Sequence, residues 1–141
     1  QKQDIQVEST SEKEFVINFV TEPMIDKVNL TSTELKYGED EFQFAGLSTL
    51  PGTKVKAPRC LESPIHFECI LKDKLSYGQG PGSGNLITGE VVAIHVSENI
   101  FKEEKIVTNL FKPVGRGAGN DWILCDHLIQ RERLMVKQIQ K

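Results

Sequence analysis

The sequence predicts a mainly β fold with a few short helices, and two stretches carry that prediction. Residues 65–72 alternate. Ile65, Phe67, Cys69 and Leu71 point one way, and His66, Glu68, Ile70 and Lys72 the other, which is the period of a half-buried strand. Residues 86–96 read as a second strand, apolar on both faces, after a glycine-rich turn at 78–84. Two apolar faces suit a barrel wall whose outer side is covered by a partner subunit.

The other elements follow in chain order. Residues 15–20 (FVINFV) are short, apolar and rich in β-formers, as in a buried strand. Thr21 then stands as an N-cap with Pro23 in the first turn, and Met24, Ile25 and Val28 give a short amphipathic helix ending before Thr33. Residues 36–58 read as irregular, punctuated by Gly38, Gly46, Pro51, Gly52 and Pro58, with Phe42, Phe44 and Leu47 as anchors to the core. Gly89, inside the second long strand, marks a bulge or a close backbone approach. A further strand is expected over 105–110. A helix is expected over 123–141, with Asp121 as its cap and Leu124, Leu128, Met135 and Ile139 as its stripe.

At 141 residues, 38% hydrophobic and 26% charged, the chain has the composition of one globular domain over residues 1–141. Its net charge of −3 argues against a nucleic-acid partner, which needs a concentrated basic surface. No apolar run reaches the roughly 20 residues of a membrane span, and no signal-peptide pattern is read. Cys60, Cys69 and Cys125 make a sparse, odd set without C-x-x-C spacing. That set fits small buried residues in a reducing, cytoplasmic compartment rather than disulfides or a zinc site. The chain starts on Gln1 and enters patterned sequence almost at once, as a fragment would.

Few side chains present themselves for chemistry. The glycine-rich 78–84 stretch leads into a strand rather than a helix and lacks a Walker ending, so it reads as a hairpin turn and not a phosphate loop. His66, His95 and His127 lack metal-pair spacing. His66 and His95 can meet across a sheet, the default being structural histidines. Glu68 shares a face with His66; that face is expected to be solvated, with a paired carboxylate as the other reading. Residues 114–122 (VGRGAGNDW) are the most site-like segment. On composition two readings stand. In one, the glycines admit a flat or phosphorylated ligand, Arg116 meets a phosphate and Trp122 stacks on a ring. In the other, Arg116 is a surface residue and Trp122 a core residue. No nucleophile–base pair can be read, so catalytic residues are not assigned, and no metal is expected.

Four segments, in order, resemble the flavin reductase-like, FMN-binding split-barrel family. They are EFVINFV at 14–20, KAPRCLESPIHFEC at 56–69, GPGSGNLITGEVVAIHV at 80–96 and VGRGAGNDW at 114–122. Trp122 stands where the family more often has Tyr, and Ala118 where it has a second glycine. The family's N-terminal strands, with PRPIAWV-like and NLAPFS-like segments and a KDT-like turn, are not found. The resemblance therefore implies one split-barrel domain lacking its N-terminal strands.

The resemblance further implies FMN as cofactor, NADH or NADPH as electron donor, and a homodimer that passes electrons to a flavin-dependent oxygenase or another acceptor. It places His95, Arg116 and Trp122 near the flavin, with Gly115, Asn120 and Asp121 shaping the loop. Two alternatives stay open. One is an FMN-binding electron carrier without nicotinamide turnover. The other is a non-catalytic dimeric split barrel that has lost flavin.

Overall fold

The computed structural model describes residues 13–33, 35 and 40–134. Strand β1 (Glu14–Asn18) carries aromatic and β-branched side chains and is half-buried rather than fully buried. A 3-10 turn (Glu22–Met24) and helix α1 (Ile25–Leu30) follow. Thr21 occupies the N-cap position in extended conformation, but its side chain makes no capping bond. Helix α2 (Glu41–Phe44) is capped by Asp40, whose carboxylate accepts from Phe42 N at 2.9 Å and Gln43 N at 3.3 Å. Met24, Ala45, Leu47 and Cys60 form a small apolar core, with Val20, Val28 and Phe42 packed against it. Phe44, expected as an anchor, points outward at 51% exposure, because this single helical turn can direct only one of its two aromatic rings inward.

Strands β2 (Thr49–Leu50) and β3 (Arg59–Cys60) pair antiparallel across an irregular loop. Strands β4 (Ile65–Tyr77) and β5 (Gly84–Val96) then form one long hairpin around the glycine-rich turn. Together with β1 they make a three-stranded antiparallel sheet in the order β1-β4-β5. Two register shifts interrupt the hairpin, between Glu68 and Cys69 and between Leu71 and Asp73. Gly89 lies beside the second, and a Cβ there would sit 2.6 Å from Cζ of Phe15. The glycine thus adjoins a bulge, one of the two expected alternatives, and it also leaves room for the Phe15 ring.

The end of the described chain differs most from expectation. Only β6 (Phe101–Lys102) and β7 (Lys105–Ile106) are strands around 101–110, and residues from Thr108 wind into helix α3 (Thr108–Phe111). No helix begins at 123. Strand β8 (Val114–Arg116) pairs with β9 (Trp122–Leu124), and residues 125–134 run on without regular structure. Trp122 and Ile123 have β-forming side chains with a partner strand at hand, and that pairing overrides the weak helical stripe. The remaining residues of the expected helix, 135–141, lie outside the described ones.

Cross-strand register sorts the sheet into two faces. Asn18, His66 and His95 stand in one row, with Glu68 on the same side. This face carries the loop between β2 and β3. Ile17, Phe67 and Ile94 stand in a row on the opposite face. There Ile17 is 43% and Ile94 60% exposed, so the apolar side of β5 is open in the single chain. Among the described residues no helix is long and apolar enough to cross a membrane.

Candidate functional site

The loop between β2 and β3 makes almost no backbone ladder of its own, so its N–H groups need other acceptors. The sheet supplies them as side chains. Glu14 Oε2 accepts from Lys56 N at 2.9 Å and Asn18 Oδ1 from Cys60 N at 2.9 Å. Glu68 does most. Its carboxylate accepts from Thr53 N at 2.8 Å, Lys54 N at 2.6 Å and Val55 N at 3.3 Å, and from the Thr53 hydroxyl at 3.2 Å. His95 Nε2 lies 2.8 Å from Glu68 Oε1, and Arg59 Nε 3.7 Å from the same atom while donating to Pro51 O at 3.1 Å.

Glu68 is fully buried, contrary to the solvated face expected for it. Burial alone would raise its carboxyl above the ordinary range. The Thr53 and Lys54 backbone N–H groups, His95 and the Thr53 hydroxyl outweigh that and hold it down at about 2. It is therefore an ionised carboxylate in the protein interior, made tolerable by a full set of donors.

The two histidines meet across the sheet as expected, in register and with ring centroids 6.1 Å apart. Their environments differ. His66 Nε2 donates to Cys60 O at 2.7 Å, and its Nδ1 is buried without a partner. Burial, with Arg59 and His95 nearby, lowers its affinity for a proton below the ordinary value and keeps it neutral at pH 7. His95 is one-quarter exposed. Its Nδ1 has no protein partner among the described residues, yet is not sealed from solvent like that of His66.

The other five expected site residues sit together on the β8–β9 hairpin. Gly115 and Arg116 are on β8, Trp122 opens β9, and Asn120 and Asp121 are exposed in the turn. The turn closes through Gly117 N to Asp121 O at 2.9 Å, with Gly119 in the left-handed region at φ 58°. The exposed Arg116 guanidinium lies 4.6 Å from the Trp122 ring centroid and donates to Gly119 O at 3.1 Å. Of the reading with a surface Arg and a core Trp, the Arg is exposed as expected, but Trp122 is only half-buried and partly covered by that Arg. No hydrogen bond, ion pair or ring contact among the described residues joins this hairpin to His95. Two surface clefts, of about 370 and 220 Å³, are lined by residues such as Met24, Lys27 and Phe111 in one and Asn109, Pro113 and Leu124 in the other. Neither includes His95, Arg116 or Trp122. Sequence reasoning missed Thr53 and Arg59; the Thr53-Lys54-Val55 run carries no local signal of its bonds to a residue 13 to 15 positions on.

A family model described as flavin reductase like domain matches residues 8–113. The chain belongs to the flavin reductase-like domain family. It is 33% identical over 111 residues to an uncharacterized protein of Halalkalibacterium halodurans, covering 77% of this chain and 53% of that protein. It is 32% identical over 113 residues to the uncharacterized protein YwrF of Bacillus subtilis, covering 77% and 55%. The chain thus spans about half the length of the curated relatives it matches. Among solved structures it is similar to nitrilotriacetate monooxygenase component B from Bacillus cereus, at 27% identity and TM-score 0.75, over 88% of this chain and 61% of that one. Flavoredoxin of Desulfovibrio vulgaris shares the fold at 20% identity and TM-score 0.71, over 86% and 63%. The fold is the family's mainly β split barrel.

A flavin presents an apolar ring system, ring N–H and carbonyl groups and, as FMN, a phosphate. The hairpin offers an exposed cation and an aromatic ring, and His95 offers an accessible polar atom. A cation, an aromatic ring and a ring-nitrogen acceptor match in kind the phosphate, ring and N–H groups of such a ligand.

Proposed function

We propose that this domain binds FMN and that the full-length protein transfers electrons from NADH or NADPH to flavin. The observation that carries the reading is the family match across residues 8–113. Arg116 would meet the phosphate, Trp122 the ring, and His95 a polar group of the flavin or nicotinamide. Gly115, Asn120 and Asp121 would shape the approach. Bound flavin would supply the hydride- and electron-accepting chemistry, while the chain binds and orients it.

The same reading takes residues 1–141 as one domain, in a homodimer. The exposed Ile17 and Ile94, in one row with the partly buried Phe67, support a covering subunit. The thiols of Cys60, Cys69 and Cys125, none of them in a disulfide, support a cytoplasmic setting. A flavin-dependent oxygenase is the acceptor we favour, since the Bacillus cereus relative is by its name one component of a monooxygenase.

The deciding measurement is a visible spectrum of the full-length protein, loaded with FMN and then gel-filtered, followed by NAD(P)H oxidation with and without added FMN. Retained flavin bands with FMN-dependent turnover are expected. Photoreduction without nicotinamide turnover would make it an electron carrier. A colourless protein that ignores both ligands would refute the reading. Arg116→Ala is expected to weaken FMN more than riboflavin, by about 1.5 kcal/mol, the lower end for a charge-assisted bond because Arg116 is exposed. Equal weakening of both would remove the phosphate role.

A further inference from the structure

We propose that Glu68 is a positioning residue that fixes His95 as its Nε2–H tautomer and leaves Nδ1 as the atom offered to the ligand. The inference rests on the reading above for what that ligand is. Its geometry is independent of that reading.

Glu68 Oε1 lies 2.8 Å from His95 Nε2 and is itself acceptor-only, so the proton of that bond resides on Nε2. Thr53 strengthens the assignment. Its hydroxyl is within reach of both Glu68 oxygens, at 3.2 and 3.3 Å, and of His95 Nε2 at 3.4 Å. Donating its one proton to the carboxylate, it can meet Nε2 only as an acceptor, which again requires Nε2–H. The carboxylate cannot swing away to release the ring. It is fixed from the other side by Thr53, Lys54 and Val55 N–H groups and flanked by Arg59 Nε. A ring nitrogen held by a carboxylate sets the character of the other nitrogen. With the Nε2 position committed to Glu68, the uncharged form of the ring has its lone pair at Nδ1, suited to an N–H or O–H donor such as the flavin ring N–H or a ribityl hydroxyl. Its neighbour His66 has the same tautomer but a buried Nδ1, and so cannot serve.

The test is ¹⁵N NMR of histidine-labelled protein, wild type and Glu68→Gln, each titrated with FMN. Wild type is expected to show His95 protonated at Nε2 and lone-pair-bearing at Nδ1, with the Nδ1 resonance moving on FMN addition. Glu68→Gln, whose amide can donate to Nε2, is expected to show a mixture of tautomers and roughly 10-fold weaker FMN binding. Wild-type His95 protonated at Nδ1 would overturn the proposal without any variant, even if Glu68→Gln fails to fold. So would an unchanged tautomer in Glu68→Gln, or FMN binding that leaves Nδ1 unmoved. A wild type that binds no flavin refutes the reading of the preceding section instead, and the tautomer comparison still decides whether Glu68 sets His95.

Discussion

The two ends of the β4–β5 hairpin are made from one element and are stabilised differently. At the root, Ile65, His66, Glu68 and Cys69 are buried; His66 bonds to the Cys60 carbonyl of β3, and Glu68 to the backbone of the crossing loop and to His95. At the tip, Leu75, Tyr77 and Leu86 are exposed, and side-chain support comes from solvent-facing pairs: Lys72 with Glu90, Ser76 with Asn85, Thr88 with Asp73. The difference teaches that polarity along a strand does not locate water. Glu68 and Glu90 both occupy a sheet position with a basic partner. Only Glu68 has its full hydrogen-bonding capacity met inside the protein, and only there is the local dielectric low enough for the bonds to count heavily.

The comparison breaks most sharply on removal of Glu68. Glu68→Ala orphans three loop N–H groups and the His95 partner, and is expected to cost about 3–5 kcal/mol in urea unfolding. A loss below 1 kcal/mol would show that water replaces the carboxylate. Gly89→Ala, midway along the hairpin, drives a Cβ against Phe15 and the Ile70 carbonyl and is expected to cost about 1–3 kcal/mol. Adding Phe15→Leu should recover part of it, and Gly84→Ala near the tip, where a Cβ meets nothing, should cost little.

Acid sharpens the contrast next. His66 binds a proton less readily folded than unfolded, so the stability contributed by its neutral form is full above about pH 6.5 and declines as pH falls below that value. Glu68, held at about 2 against an ordinary 4.5, adds a separate loss across that lower interval. Denaturation midpoints measured from pH 7 to 3 should fall in two phases, the first as His66 takes up a proton and the second as Glu68 does. His66→Gln should flatten the first phase alone. The smallest effect is expected at the tip: Glu90→Ala should leave the midpoint unchanged within error, because its pair with Lys72 is exposed on both sides.

Much of this was legible in the sequence. Two strand-like stretches, 65–72 and 86–96, put His66 and His95 where they could meet across a sheet, the glycine run marked the hairpin turn, and Gly89 signalled a bulge or a close approach. Four ordered motifs pointed to the family. Glu68 was misread because its burial depends on a loop 13 to 15 residues upstream crossing the sheet, and period-two patterning carries no information about what lies on a face. The helix expected from 123 failed for a related reason: Trp122 to Leu124 found a partner in residues 114–116, and strand pairing of that kind is a tertiary fact. The hairpin's cation and ring were both foreseen, but not that they would stack on each other.

The loop between β2 and β3 leans on side chains of β1 and β4 for its backbone bonds, and this sets the order of events in time. Residues 53–56 and 60 cannot order before Glu14, Asn18 and Glu68 are aligned, and those acceptors are aligned only once β1 has paired with β4. An irregular loop would ordinarily exchange its amide hydrogens quickly and independently. Here the amides of Thr53, Lys54, Lys56 and Cys60 should be protected, and should be released together with those of the sheet rather than one by one. A stretch that looks like loose connection would then behave, on the hydrogen-exchange timescale, as part of the sheet's own cooperative unit.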